Sequence, residues 1–246
     1  MKKLMLMVIL MFFVAGRGFS ASFFDEFTSN LTGATSLIQK NLDSFAADLG
    51  AVIGGAACHQ GKALGFPGFD VGIHISGKSV SDDNKIVKAA GLDAIALPML
   101  QAEIGLPGKL DLIGRYVAYS GANMTGLGIR YGLLKENIPL FPSISVQVLY
   151  NNLDVKSDAN KFKAATISAA GVISFNIPIV DPYVLVGMDS TTITPDSSIT
   201  SLTGSASGVR AEAGINLSLV PFTYLHIGGG FVNGGMGYNM GLGIKF

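Results

Sequence analysis

GMGYNMGLGIKF, residues 235–246, closes the sequence and alternates large apolar residues with glycine, asparagine or lysine. The apolar residues are Met236, Tyr238, Met240, Leu242, Ile244 and Phe246. Successive side chains of a β-strand point to opposite faces, so a period of two puts all of these side chains on one face. The stretch therefore predicts a strand with one wholly apolar face and one face of small or polar residues.

The composition narrows the class of protein. The 246 residues are 49% hydrophobic and 14% charged, and 32 are glycine, which is charge-poor and glycine-rich for a soluble domain. Seventeen basic residues balance seventeen acidic ones, and without a basic cluster the chain lacks the charge pattern of a nucleic-acid-binding protein. The composition therefore indicates a soluble protein with a large core or a membrane barrel.

The N-terminus has the layout of an export signal. Lys2 and Lys3 precede an apolar run from Leu4 to Ala15, and small residues follow around Ser20. That run is too short for a membrane-spanning helix, which needs about 20 apolar residues. Residues 1–20 are therefore predicted to be a removable signal peptide, and no comparable apolar run follows them.

The alternation of the C-terminal stretch recurs ten times from residue 68 onward. In a membrane barrel each strand shows one face to lipid and one to the lumen, which gives alternating segments of about ten residues. We therefore predict an all-β fold for residues 68–246, a closed antiparallel transmembrane β-barrel of about ten strands. The predicted strands cover residues 69–79, 97–106, 110–120, 126–133, 143–152, 166–176, 183–193, 205–219, 222–233 and 235–246.

The connections predict the orientation of this barrel. Bacterial barrels have short periplasmic turns and longer outer loops. If the first strand starts in the periplasm, the two longest connections, 80–94 and 194–203, become outer loops and the C-terminus is periplasmic. The inner turns are then residues 107–109, 135–140, 177–182 and 220–221. We expect the protein in the bacterial outer membrane, in contact with its lipid.

Charged residues fall on the predicted inner face. In an antiparallel sandwich, the competing soluble fold, they would cover the surface, but here they lie between apolar neighbours. Buried charges need partners, because an unpaired charge is costly to bury. We interpret them as a salt-bridge network that seals the lumen or as a constriction that selects small solutes. This lumen cluster consists of Asp70, His74, Glu103, Arg115, Arg130, Arg210 and Glu212.

Two resemblances extend the prediction. Asn239, Gly241, Ile244 and Phe246 resemble the C-terminal assembly signal of outer-membrane barrels, which implies recognition by the barrel-insertion machinery. The stretches GFDVGIHISG (68–77), LPMLQAEIGLPGKLDLIGRYV (97–117) and GLGIRYGLL (126–134) resemble an uncharacterised family of bacterial outer-membrane barrels with an N-terminal helix. The second resemblance implies no particular activity.

Residues 21–67 are predicted to be a helix and linker in front of the barrel. Apolar residues at three- and four-residue spacing indicate an amphipathic helix over 23–53, about 46 Å long, with Gly33 as a candidate break. It could plug the lumen, cap the barrel mouth or inner leaflet, or pair with a periplasmic partner. Inward glycines such as Gly105 favour the plug, since strand glycine often marks close approach of another backbone. The apolar face is Phe24, Phe27, Leu31, Ile38, Phe45 and Leu49.

Catalytic and metal sites are not expected. His74 and Ser76 share a face, as in some lipid-modifying barrel enzymes, but Asp70 lies about 13 Å away along an extended strand and cannot orient the histidine. His59 and His226 show no metal-ligand spacing, so we expect neither metal nor cofactor.

Taken together, these patterns predict a non-enzymatic barrel that passes or binds small or apolar molecules in its lumen. The alternative is a closed structural or adhesion barrel without transport, and a lipid-modifying enzyme is the third interpretation.

Overall fold

Ten antiparallel strands form a closed wall. A computed structural model describes residues 21–246 apart from 120, 135–140 and 158–159, so the predicted signal peptide and inner turn 135–140 lie outside the described residues. Neighbouring strands pair in sequence order and the last pairs with the first, which confirms the predicted barrel. The strands are β1 Phe69–Ser79, β2 Ala94–Leu106, β3 Leu110–Tyr119, β4 Ala122–Leu134, β5 Pro142–Ser157, β6 Asn160–Phe175, β7 Val180–Pro195, β8 Gly204–Leu217, β9 Thr223–Val232 and β10 Gly235–Lys245.

The two faces of the wall follow the alternation of the sequence. Large apolar side chains such as Leu127 and Val209 are more than 60% exposed on the outside. Charged side chains such as Arg130 and Glu103 are almost completely buried inside. The sandwich alternative is therefore wrong, because a sandwich would expose the charges.

Five strands are longer than predicted, and the longest are β5, β6 and β7. β5, β6 and β7 each have 16 residues, more than the roughly 9–11 that cross a bilayer. On the added part of β6, Lys161 and Lys163 point outward, while Phe162 points inward and is fully buried. The wall is taller on this side because it covers an apolar cap at the mouth.

That cap belongs to the N-terminal helices α1 (Ala21–Ser29) and α2 (Thr35–Gly54). They are separated at Gly33, whose φ of +113° is accessible mainly to glycine. Asn41 Nδ2 donates to Asn30 O at 3.0 Å, so α1 folds back along α2. The prediction of one helix about 46 Å long is therefore wrong, whereas the break at Gly33 is present.

Both helices lie at the mouth formed by the connections 80–93 and 196–203. The first of these connections contains a short helix, α3 (Lys85–Ala89), which packs against α1 and α2. This mouth is opposite the C-terminus, so with the predicted orientation the helices do not form a periplasmic cap. Within the described part of the chain, no helix has the length and apolarity needed to cross a membrane.

Candidate functional site

The N-terminal segment, residues 21–68, passes through the lumen from one mouth to the other. At the helical mouth, Asp43 Oδ1 accepts a hydrogen bond from Ser205 N at 2.8 Å. Beyond the end of α2 the linker 55–68 continues inside the wall, where Gly61 N donates to Ser174 Oγ at 2.8 Å. The linker leaves at the far mouth and leads directly into β1. The interior of the barrel is therefore occupied by the chain itself.

Polar contacts fix α2 at the helical mouth. Asp48 forms an ion pair with Lys78 of β1, and both side chains are fully buried. Asn84 Nδ2 also donates to Asp48 Oδ2, at 2.8 Å. On the surface, Lys40 Nζ lies 3.0 Å from Asp83 Oδ1, and this hydrogen bond lowers the pKa of Asp83. Helix α2 is thus tied both to the wall and to the connection above it.

The apolar face of the helices packs into a cluster of aromatic rings at the same mouth. Phe27 is fully buried and lies 5.2 Å from the ring of Phe162 on β6 and 5.7 Å from that of Phe45. Of the predicted face, only Ile38 is partly exposed. The buried members are Phe24, Phe27, Leu31, Phe45 and Leu49.

Inward glycines make room for the segment and for inward side chains. A Cβ at position 105 would lie 2.2 Å from the carbonyl oxygen of Gly65 in the linker. A Cβ at position 241 would lie 2.2 Å from Nε2 of His226. Close approach of a second backbone, the predicted reason, therefore holds at Gly105, whereas Gly241 accommodates a side chain of the wall.

Arg130 is the centre of the first charged group. Its Nη2 lies 2.5 Å from Glu103 Oε2, and its Nε donates to Asp111 Oδ2 at 3.0 Å. Asp111 also accepts from the linker amides of Leu64 and Gly65, at 3.0 and 3.2 Å. The group therefore joins three strands to the threaded segment. Asp111 was not part of the predicted cluster, although it shares the inward parity of Arg115.

Arg115 has a different role from the one predicted. Instead of a carboxylate, its guanidinium meets the carbonyls of Ile53 at 2.8 Å and Gly55 at 2.5 Å. These are carbonyl groups at the end of α2, which lack helical partners and carry partial negative charge. Arg115 therefore caps the C-terminus of the helix within the lumen.

Arg210 forms the second charged group. It pairs with Asp189 of β7 and lies 3.6 Å from Glu212, and its Nη2 donates to Ala51 O of α2 at 3.1 Å. Glu212 in turn accepts from Asn239 Nδ2 at 2.8 Å. All seven residues of the predicted lumen cluster are buried inside the barrel, but they form separate groups, and each arginine contacts the N-terminal segment or a residue that does.

Asp70 and His74 form the third group, together with residues that sequence spacing did not connect. Tyr224 donates to Asp70 Oδ1 at 2.8 Å and contacts His74 Nε2 at 3.0 Å, so the acid reaches the histidine through a tyrosine. His59 and His226 lie beside them, and one ligand atom from each of the three histidines falls within 4.8 Å of the others. The spacing of these histidines in the sequence does not indicate this arrangement, and the expectation of no bound metal stays a prediction.

Burial dominates the chemistry of this third group. His59, in the linker, is fully buried, and a positive charge on its ring would be costly to bury. The charges of Lys245 and Arg130 disfavour that protonation further. Burial therefore favours the neutral ring, the form in which imidazole binds transition metals.

The residues of the predicted assembly signal divide between the two faces of β10. Asn239 and Gly241 face the lumen, whereas Ile244 and Phe246 are exposed outside. Phe246 stacks on Phe69 at 4.6 Å and on Phe222 at 4.7 Å, forming an aromatic patch at the end of the barrel opposite the helices. Recognition by the barrel-insertion machinery stays a prediction.

Comparison with known proteins identifies a family. The sequence model of DUF6588, a family of unknown function, matches residues 86–246. No curated protein sequence matches the chain.

Several solved structures are similar to this chain. Neisserial surface protein A is 14% identical, with 72% of this chain and 95% of that chain covered and a TM-score of 0.36. Ail of Yersinia pestis, in complex with the heparin analogue sucrose octasulfate, is 16% identical, with 74% and 100% covered and a TM-score of 0.33. The N-terminal β-barrel domain of Pseudomonas aeruginosa OprF is 16% identical, with 72% and 97% covered and a TM-score of 0.31.

Proposed function

We propose that this chain, which belongs to DUF6588, a family of unknown function, is a non-enzymatic bacterial outer-membrane barrel sealed by its own N-terminal segment. One observation carries the proposal. Residues 21–68 occupy the lumen from mouth to mouth, and Arg115 and Arg210 donate hydrogen bonds to the backbone of α2 inside it. Of the functions considered from the sequence, the closed barrel without transport therefore fits best.

The placement in the outer membrane rests on the outer face. That face is apolar, and the aromatic patch of Phe69, Phe222 and Phe246 lies at one end, where interfacial aromatic girdles are found in membrane barrels. This end also carries the short connection 107–109. We therefore assign it to the periplasm, which places α1 and α2 at the cell surface.

A cross-link tests whether the segment stays inside the barrel in membranes. A Cβ at Gly50 would lie 2.8 Å from Cβ of Thr191 on β7, so a small adjustment brings two cysteines to the 3.5–4.5 Å of a disulfide. In a Cys58→Ser background, we expect Gly50→Cys with Thr191→Cys to cross-link in isolated outer membranes. The measurement is the shift in gel mobility with and without reductant.

The matched control uses the exposed face of the same helix. Leu37 is 61% exposed, so Leu37→Cys with Thr191→Cys should stay uncross-linked. In planar bilayers the wild-type protein should show no stable channel. A steady open channel from wild-type protein, or equal cross-linking of both cysteine pairs, would contradict the sealed barrel.

A groove in the wall favours a second function, the binding of an apolar molecule. β2 and β3 pair only from Leu100 opposite Tyr116 to Leu106 opposite Leu110, although both strands continue toward the helical mouth. Pro98, which has no N–H to donate, lies in the unpaired part. A groove of about 320 Å³ opens there between Pro98, Leu100, Tyr116 and Ala118. Since it faces the lipid, a lipid acyl chain is its proposed occupant.

Filling the groove tests this second function. Ala118→Trp places a large ring in the groove, so binding of the fluorescent C18 fatty acid cis-parinaric acid to the purified protein should weaken by about tenfold or more. Ala211→Trp makes the same change on the exposed outer face of β8 and should leave binding unchanged. Equal affinities for wild type and both variants would rule out the groove as the site.

A further inference from the structure

We propose that His59, His74 and His226 bind one divalent transition-metal ion of the zinc, nickel or copper class inside the barrel. Imidazole nitrogen is a preferred ligand of these ions. The sequence contains three histidines in all, and each of them is at most 1% exposed and belongs to this site. The inference rests on the geometry of these side chains and is independent of whether the barrel is sealed.

Closure of the barrel brings two of the ligands together. His74 of β1 lies opposite Gly241 of β10, and Gly241 lies opposite His226 of β9. The three residues therefore form one row across the seam between the first and last strands. Because glycine stands in the middle, the ring of His226 extends over it, and the two imidazole centroids are 4.9 Å apart.

The linker provides the third ligand from inside the lumen. The ring of His59 lies 5.0 Å from that of His226 and 5.4 Å from that of His74. Three nitrogens bound tetrahedrally to zinc at about 2.0–2.1 Å would be roughly 3.4 Å from one another. The ligand atoms lie within 4.8 Å of one another, so metal binding requires them to approach by about an ångström, a movement that we assign to side-chain rotation.

The hydrogen bonds of His74 are those of a metal ligand. Its Nδ1 lies 3.0 Å from the carbonyl oxygen of Ala56, which can only accept, so Nδ1 carries the hydrogen. In a neutral ring Nε2 then carries the lone pair and lies 3.0 Å from the Tyr224 hydroxyl. Histidines that bind metals typically donate their other N–H to a carbonyl or carboxylate in this way, which fixes the tautomer and the ring orientation.

Several buried polar atoms of this site lack a hydrogen-bond partner. The Tyr224 hydroxyl has one hydrogen but faces two acceptors, Asp70 Oδ1 at 2.8 Å and His74 Nε2 at 3.0 Å. Asp70 Oδ2 and the ring nitrogens of His59 and His226 make no hydrogen bond, although all are buried and His59 Nε2 lies 3.4 Å from Asp70 Oδ2. Unsatisfied buried polar atoms are costly. A cation among the imidazoles would satisfy several of them at once, with the Asp70 carboxylate balancing its charge.

Metal binding is measured on the refolded full-length protein in detergent, purified without a histidine tag. After treatment with chelator, Co²⁺ or Zn²⁺ is added either during refolding or to the folded barrel. We expect one metal ion per chain by elemental analysis after dialysis, and the visible d–d absorption of tetrahedral Co²⁺. His226→Gln and His59→Gln should each abolish stoichiometric binding.

Two matched control variants show whether loss of metal binding is specific to the three histidines. Cys58→Ser changes the neighbour of His59 and removes the single thiol, and Gln147→Ala changes a buried inward residue of β5; both should bind metal normally. Folding is checked by circular dichroism and by the mobility of unheated samples in gels. If His226→Gln misfolds, His59→Gln, which lies outside the strands, decides the question. Wild-type protein without stoichiometric metal under both protocols, or binding that survives His59→Gln, would overturn the proposal.

Discussion

Arg130→Met is expected to cost the barrel about 3–5 kcal/mol of unfolding free energy, the usual penalty for removing one partner of a buried ion pair. Arg130 is fully buried, and it is the cation that both Glu103 and Asp111 contact. Without it, two carboxylates remain in a closed interior. Because the chain contains no tryptophan, urea unfolding is best followed by circular dichroism and by gel mobility.

Two controls show whether the loss arises from the unpaired carboxylates. Lys161→Met removes the cation of a pair whose lysine is 54% exposed, and such surface pairs contribute about 0–1 kcal/mol. Adding Glu103→Gln and Asp111→Asn to Arg130→Met removes the uncompensated charges and should restore much of the stability. If Arg130→Met unfolds at the wild-type urea concentration, the interior is wetter than these contacts imply.

The wall could be predicted from the sequence because alternation acts at each residue separately. A lipid-facing position requires an apolar side chain whatever its neighbours are. The outward faces and the inward position of all seven residues of the lumen cluster therefore followed from parity alone. The partners of those charges depend on register. Asp111 lies directly opposite Arg130, and a shift of one residue would place it opposite a different side chain. Parity predicts which residues are inside, but only the register shows which ones meet.

Lys78 and Asp48 show the limit of this reasoning. Lys78 shares the inward parity of His74 on β1, which was a usable signal. The sequence gives no such signal for Asp48, because its ion pair with Lys78 forms only when α2 lies inside the barrel. The amphipathic pattern of the helices is compatible with either mouth or with a membrane surface. The mouth at which the helices lie therefore could not be predicted.

The proximity of the three histidines could not be predicted for a related reason. Metal-site motifs are recognised by short spacing within one element, whereas His74 and His226 meet across the seam that joins the first strand to the last. His59 reaches them from a linker without regular structure. Their proximity is a property of closure and threading, which local spacing does not report.

Gly54→Leu is expected to release the end of α2 and open the lumen. A Cβ at this position would lie 2.2 Å from Asp189 Oδ1 and 2.4 Å from Ser168 Oγ. The larger side chain can be accommodated only by separating Arg210 from Asp189 or by moving the helix. Overpacking of this kind costs about 1–3 kcal/mol, which would shift the equilibrium between docked and released helix by roughly 5- to 150-fold.

The measurement is single-channel recording in planar bilayers, where Gly54→Leu should show opening events that wild-type protein lacks. Gly171→Leu is the matched control, because no atom lies within 4 Å of a Cβ there and the residue has the outward parity of β6. The disulfide between Gly50→Cys and Thr191→Cys described above should suppress the openings when it is added to Gly54→Leu and restore them on reduction. Since reduction changes only the attachment of the helix, reversible openings would assign the block to the N-terminal segment. If the Gly54→Leu barrel shows no openings although Gly50→Cys and Thr191→Cys no longer cross-link in it, the block would instead be assigned to the side chains of the wall.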